Sequence, residues 1–300
     1  MKSKGKIIAS VTGVLVLIII VWGLIEPYQM EVEEEKAVVA DLPSSLEGKE
    51  IIAIGDFQVG MWMDNSSKIP DIVNEIISRS PAAVVLLGDY VYHSVNDHQK
   101  EMEKVASWIE PLTEQDFPVY AVRGNHDYNM SGTKKEPDYE IAERVERDLT
   151  EVGVEVLHNE SAKLKGEDFH VVGIGARWPG EDDIEQAYED VGEEEGRFVF
   201  MHNPETFDDI PENQAPVAVA GHTHGGQIRI PFTPHWSWKN LLSGGAHVDG
   251  WIEESYGEEE NRLYVNRGIG LSIAPIRLNN FPEITSFELT AKEAKNDVEG

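Results

Sequence analysis

The chain has 300 residues, a hydrophobic fraction of 41% and no cysteine. It can therefore bury one large core or two small ones, but it has no disulfides, cysteine zinc sites or thiol nucleophile. Its formal net charge of −30 and pI near 4.6 make a surface that repels phosphate backbones, which argues against nucleic acid as a partner; the acidity fits both a high-salt habitat and an exported protein.

Residues 7–25 are apolar and uncharged. As a helix they span roughly 28 Å, close to the hydrocarbon thickness of a bilayer. Lys2, Lys4 and Lys6 precede the stretch, Glu26 and Glu31 to Glu35 follow it, and Trp22 and Tyr28 fall where an aromatic belt would lie. Residues 1–28 thus read as a single-pass anchor in the cell membrane, with the N-terminus cytoplasmic and the remainder extracytoplasmic. A cleaved signal peptide is the competing reading, but no small-x-small site lies just after the apolar run.

Residues 29–48 read as an acidic, strand-poor stalk. A regular pattern follows. A strand over 50–54 ends in Gly55-Asp56, and a helix over 70–80 places Ile69, Ile72, Val73, Ile76 and Ile77 at helical spacing. A buried strand over 82–87 ends in Gly88-Asp89, a helix covers 97–109, a strand over 117–122 ends in Gly124-Asn125-His126-Asp127, and a helix covers 138–150. The β-α-β-α-β-α order favours one sheet with covering helices. Strands are expected at 154–158, 169–175, 197–202, 216–220, 227–230, 263–265 and 284–289, with a helix over 182–195. Residues 232–261 form a loop-like insert with Trp236, Trp238 and Trp251, which either rests its tryptophans in a lipid interface or packs as a satellite core. A polar, frayed tail occupies 291–300, which leaves 49–290 as the main domain.

The stretch Gly221-His222-Thr223-His224-Gly225-Gly226 places two histidines one residue apart beyond a buried run. On an extended segment alternate side chains share a face, so both can enter one pocket. Alone, the stretch also fits a turn with two solvated histidines. Its partners decide otherwise: Asp56, Asp89, Asn125-His126 and His202 each fall just after an expected strand, where open sheets build their sites. Carboxylates, an amide oxygen and imidazoles suit divalent cations such as Mn, Fe or Zn.

The series Asp56, Gly88-Asp89, Gly124-Asn125-His126-Asp127, His202 and Gly221-His222-Thr223-His224 resembles the calcineurin-like metallophosphoesterase superfamily, over about residues 49–290. Met201-His202-Asn203-Pro204, the run 221–231, and Val265-Asn266-Arg267-Gly268-Ile269-Gly270 with Pro282-Glu283-Ile284-Thr285 look like its membrane-associated YkuE-like phosphohydrolase subgroup. The resemblance implies a four-layer α/β/β/α sandwich of two mixed sheets. It also implies hydrolysis of a phosphoester or phosphoanhydride by a hydroxide bridging two divalent ions, Mn above all, with Fe, Zn or Mg as options. Asp89 would bridge both ions; Asp56 and His224 would bind the first, and Asn125, His202 and His222 the second. His126 would contact the phosphate and protonate the leaving oxygen, with Asp127 orienting it. The substrate would be a phosphorylated small molecule or a lipid-linked one.

One position departs from the family pattern: Asp-x-His is usual in the first block, and this chain has Asp56-Phe57-Gln58. A neutral amide binds transition metals more weakly than imidazole, so the first ion is expected to be looser, whether Gln58 ligates it or only hydrogen-bonds nearby. His93 either flanks the site or is a solvated loop histidine. Arg267 either holds a phosphate or makes a structural salt bridge, and Arg177-Trp178, after Gly173-Ile174-Gly175, either lines the cleft or sits in a surface loop. Two rival functions follow: a domain that binds a phosphorylated ligand without turnover, its first site impaired by Gln58, and a nuclease, which the acidic surface disfavours.

Overall fold

The computed structural model describes residues 2–93, 97–230, 237 and 247–292. In chain order its main elements are α1 (Lys2–Ile25), β1 (Glu31–Val39), β2 (Glu50–Ile54), α2 (Ile69–Arg79), β3 (Ala83–Leu86), α3 (His98–Thr113), β4 (Val119–Ala121), α4 (Tyr139–Glu151) and β5 (Glu155–Val156). They continue with β6 (Glu160–Lys163), β7 (Phe169–Ile174), α5 (Ile184–Ala187), β8 (Gly196–Met201), β9 (Ala218–Ala220), β10 (Gly250–Trp251), β11 (Leu263–Val265) and β12 (Glu283–Ala291). The strands form two mixed sheets, ordered β1-β12-β2-β3-β4-β5 and β10-β11-β9-β8-β7-β6.

Alternation along the central strands builds the layers. Ile51, Ala53, Val85 and Leu87 face Phe169, Val171, Phe198, Phe200 and Val219 of the other sheet. Their neighbours Ile52, Ile54, Val84 and Leu86 face Ile72, Val73 and Ile76 of α2 and Met102, Val105 and Ile109 of α3. Each of these large aliphatic side chains contributes about 1.5–3 kcal/mol by leaving water. On the outer face of the second sheet, Val172, Val199, Met201 and Val265 are covered by Ala187, Phe207 and Ile210. The four-layer α/β/β/α order is thus present, with a thin outer layer on the second sheet. The helices start where their caps dictate: Asp97 accepts from Lys100 N, and Asp138 from Ile141 N.

Three expectations need correction. The stretch read as a strand-poor stalk contains β1, nine residues paired in parallel with β12. Its carboxylates alternate between faces and each face supplies partners: Glu31 and Glu33 reach Arg267 at 3.2 and 2.6 Å, and Glu34 reaches Arg79 at 3.1 Å. An edge position tolerates this density of charge. The helix expected over 182–195 shrinks to one turn, α5, because Glu195 turns away to pair with Lys163 at 2.8 Å and His170 at 3.0 Å. The strand expected over 227–230 makes isolated bridges only, one of them from Ile228 to Leu278.

Ala291 ends β12 rather than starting a frayed tail; 293–300 lie outside the described residues. Trp236 and Trp238 do too. Trp251 is described and is a packing residue: its ring meets Tyr264 at 5.4 Å and Phe287 at 6.1 Å, and its Nε1 donates to Glu35 at 2.8 Å.

Candidate metal centre

Asp56, Asp89 and Asn125 follow β2, β3 and β4; His202 follows β8, and His222 and His224 follow β9. These strands run parallel within each sheet, so their carboxyl ends share one rim. The backbone there is unusual. Asp56, Gln58, Asp89, His222 and His224 all have left-handed φ values, between 52° and 70°. Such conformations cost about 1–3 kcal/mol each for ordinary residues and persist only where surrounding structure enforces them.

One half of the site is preorganised around His202. Its Nδ1 donates to the Leu87 carbonyl at 2.8 Å, so Nε2 faces inward. Nε2 lies 3.0 Å from Asn125 Oδ1, 3.2 Å from His222 Nδ1 and 3.4 Å from Asp89 Oδ2. Asn125 donates its Nδ2 to the Met130 carbonyl at 2.9 Å, which turns its Oδ1 to the same point. Ligand atoms of Asp89, His202 and His222 all lie within 4.8 Å of one another. Burial alone would keep His202 neutral, but Asp89, Asp56 and the Leu87 carbonyl outweigh it and raise its pKa to about 9. Burial would likewise raise the Asp89 carboxyl, yet His202 and His126 hold it well below the usual carboxylate range. A cation takes the place of that imidazolium proton naturally.

The other half is Asp56, Gln58 and His224. His224 Nε2 lies 3.8 Å from Asp56 Oδ1 and 3.4 Å from Gln58 Nε2. Gln58 Nε2 donates to Asp89 Oδ2 at 2.8 Å, while its Oε1 is buried with no hydrogen-bond partner. A half-turn of the amide exchanges the two atoms and aims an oxygen into the site. The half around His202 therefore offers three ligands within reach of one another and an amide oxygen, a donor set that fits a divalent cation, while the other half has a neutral amide where an imidazole would bind more strongly. Two glycines permit this crowding: a Cβ at Gly124 would sit 2.2 Å from Asp89 Oδ1, and one at Gly268 would sit 2.6 Å from Asp56 Cβ.

His126 stands at the mouth, its Nε2 4.0 Å from Asp89 Oδ2, with its ring stacked on Tyr92 at 5.2 Å and His93 at 5.4 Å. Burial lowers its pKa. His93 is thus beside the site. Asp127 does not orient His126, contrary to expectation. Its Oδ2 accepts from Asp89 N at 2.8 Å and Gly124 N at 2.7 Å, and its Oδ1 from Tyr90 N at 2.9 Å. Both oxygens are committed to backbone, and His126 Nδ1 is left without a partner. Burial, then the charge of Asp89, pushes the Asp127 carboxyl up to about 7.

Arg267 is no phosphate ligand in this arrangement. Besides Glu31 and Glu33, its Nε lies 2.6 Å from Glu283 and 3.6 Å from Asp249, so four carboxylates saturate it. Arg177 pairs with Asp182 at 3.0 Å and Asp209 at 2.5 Å, in a surface loop. Its neighbour Trp178 is the residue that reaches the site, meeting His222 edge-on at 4.7 Å and packing on Tyr128 and Met130. Trp178 was thus half of the Arg177-Trp178 pair read as lining the cleft or a surface loop, whereas Tyr92 carried no motif and could have been found only as an aromatic next to His93.

The calcineurin-like phosphoesterase pattern matches residues 49–226, more than half of the chain and all of the ligands above. The chain belongs to the calcineurin-like phosphoesterase family. It is 31% identical to the phosphodiesterase YaeI of Escherichia coli over 230 residues, covering 74% of this chain and 76% of that one. It is 23% identical to the metallophosphoesterase YkuE of Bacillus subtilis, over 88% and 87% of the two chains. It is also 25% identical to the UDP-2,3-diacylglucosamine pyrophosphatase LpxG of Chlamydia trachomatis, over 93% and 95%. Membership makes the chain a hydrolase of the metal-dependent phosphoesterase kind, and the site supplies donors for divalent cations.

Proposed function

We propose that the protein is a dinuclear metal-dependent phosphohydrolase anchored by α1, acting on a phosphoester or phosphoanhydride of a membrane-associated substrate. The observation that carries this reading is the convergence of Asp89, Asn125, His202 and His222 on one point, with Asp56, Gln58 and His224 beside it. Asp89 faces both groups through Oδ2, 2.8 Å from Gln58 Nε2 and 3.4 Å from His202 Nε2, and so is the residue placed to hold two cations. Divalent ions held by these residues, Mn above the alternatives, would supply Lewis-acid charge for the phosphoryl group and for activating water. His126, at the mouth, hands a proton to the leaving oxygen. The membrane substrate is supported by α1 and by the lipid pyrophosphatase among the relatives. Lys2, Lys4 and Lys6, on the N-terminal side of the apolar run, support an orientation with the N-terminus in the cytoplasm and the catalytic domain outside.

The test is hydrolysis of p-nitrophenyl phosphate and its bis ester by the full chain with Mn, abolished by chelation. Ligand binding without turnover under any divalent metal overturns the proposal in favour of a binding domain.

A finer consequence concerns Gln58. Gln58→His is expected to raise affinity for the weaker ion on the order of tenfold, the lower end of what one altered partner changes at such sites. Metal titration measures it as a second binding step moving to lower concentration; an unchanged isotherm means that Gln58 contributes nothing to that ion.

A further inference from the structure

α1 does not simply lead into the domain; its C-terminal end and the residues that follow are fastened to two loops, and a third loop is joined to these. Gly23 O accepts from Arg277 N at 3.0 Å, and Glu26, fully buried, accepts from Asn280 N at 2.5 Å. Asn65 Nδ2 bonds both the Pro27 carbonyl at 2.7 Å and the Ile269 carbonyl at 2.8 Å, and Tyr28 donates to the Asp64 carbonyl at 3.4 Å. The third loop joins through Ile228 and Arg229, which pair with Leu278, and through Gln227, which bonds Ser272 N and the Ala274 carbonyl.

These loops display large apolar side chains to the outside. Trp62 is 60% exposed, Met63 59%, Ile273 76% and Ile230 45%. Outside α1 and Tyr28, the other exposed large hydrophobic residues among those described are Val38 and Tyr139 alone, so the exposure is concentrated here. Met63 and Ile273 are held at φ values of 57° and 64°. A β-branched residue in that region is an outlier, and strain of this kind is retained where a position serves something beyond packing. Charge agrees. The segments 59–63, 227–230 and 269–278 contain no aspartate or glutamate, in a chain with 55 acidic residues. The chain's net negative charge is repelled by anionic headgroups; these segments add no carboxylate of their own to that repulsion, and Asp64, just past the first one, accepts from Gly60 N at 3.0 Å.

We infer that Trp62, Met63, Ile230 and Ile273 form a collar around the exit of α1 that sinks into the outer headgroup layer of the bilayer. The occupant of this surface is lipid because the patch is continuous with the candidate span Lys4–Tyr28, whose most apolar 18 residues have a mean hydropathy of 2.7 and almost no burial. The collar loops are also the loops of the metal centre. Trp62 lies four residues beyond Gln58, hence within about 14 Å along the chain; Ile230 lies six beyond His224 and Ile273 five beyond Gly268. A collar in the interface therefore sets the mouth of the centre at headgroup depth. This rests on the reading of α1 as a membrane span.

The absence of cysteine makes the test clean. Trp62→Cys, Met63→Cys, Ile273→Cys, Val16→Cys within α1 and Glu185→Cys on α5 each place one nitroxide on the full chain in phosphatidylcholine and phosphatidylglycerol vesicles. Collision of the label with oxygen, enriched in lipid, is compared with that of a water-soluble nickel chelate. Positions 62, 63 and 273 are expected to resemble 16, with oxygen dominating several-fold, and 185 to show the reverse. If 62, 63 and 273 resemble 185 while 16 remains lipid-like, the collar is wrong and the span stands. Low collision with both reagents at these positions means a protein partner covers them, which also overturns the collar. A water-exposed label at 16 removes the span, and the collar with it.

Discussion

Asp89→Asn is expected to abolish turnover, by at least about 10³-fold, the upper scale for losing one electrostatic stabiliser, and to remove bound metal at the same time. The change deletes one negative charge at a residue whose carboxylate oxygen Oδ2 lies near both Gln58 and His202, one from each half of the site. It leaves most of the local framework in place, since an asparagine Oδ1 can still accept from His126 N, a bond that Asp89 Oδ1 makes at 2.8 Å. The fold should therefore survive, and a second measurement separates metal loss from unfolding. A ligand that binds only the folded state raises the melting temperature, with a stabilisation that grows as the logarithm of its concentration over its Kd. Wild type should melt higher with Mn than with chelator, whereas Asp89→Asn should melt at one temperature under both conditions, close to that of chelated wild type. Wild-type activity in this variant would end the two-metal reading. Lost activity with an intact Mn-dependent shift would move Asp89 from metal binding to another task.

The parts of this fold that were legible in the sequence share one physical property. β2, β3, β7, β8 and β11 are buried on both faces, so each reads as a short apolar run, and most of these runs stop at a glycine or a metal-site residue that ends them. β1 has the opposite character. Its sequence Glu-Val-Glu-Glu-Glu-Lys-Ala-Val-Val carries its charges on both faces of an edge strand, and only the distant arginines Arg79 and Arg267 make that arrangement stable. No local pattern reports a partner more than 230 residues away. The same limit explains Arg267. Its position after a strand and before a Gly-x-Gly turn suggests an anion site, but Glu31 and Glu33 of β1, Asp249 and Glu283 reach it from three separate segments.

The candidate site was more legible than its supports. Asp56, Asp89, Asn125, His202, His222 and His224 are all recoverable from residue type and placement after strands, and the fold brings them together. What the sequence hid was which hydrogen bonds aim them. Leu87 fixes the tautomer of His202 with a backbone carbonyl, and Met130 turns Asn125 in the same way. Any residue type has a carbonyl, so such supports leave no signature.

Asp127 gives the sharpest case, because adjacency to His126 and geometry assign it different work. Asp127→Ala leaves the backbone N–H groups of Asp89, Tyr90 and Gly124 buried without their acceptors. At about 1–3 kcal/mol for each unsatisfied group, the loss comes to about 4 kcal/mol or more, which lowers the melting temperature by roughly 10 °C in a domain of this size. Metal content should fall with it, since Asp89 and Asn125 flank the turns that Asp127 ties together. Asp127→Asn should fall between. Its single amide oxygen can serve either Tyr90 or the Asp89 and Gly124 pair, and its NH₂ group then opposes the donors on the other side. A residue that merely oriented His126 would behave differently: both variants would keep stability and metal and lose only kcat. Thermal melts and metal analysis of Asp127→Ala distinguish the two, and a melting temperature within about 2 °C of wild type with full metal would return Asp127 to the role its neighbour suggests.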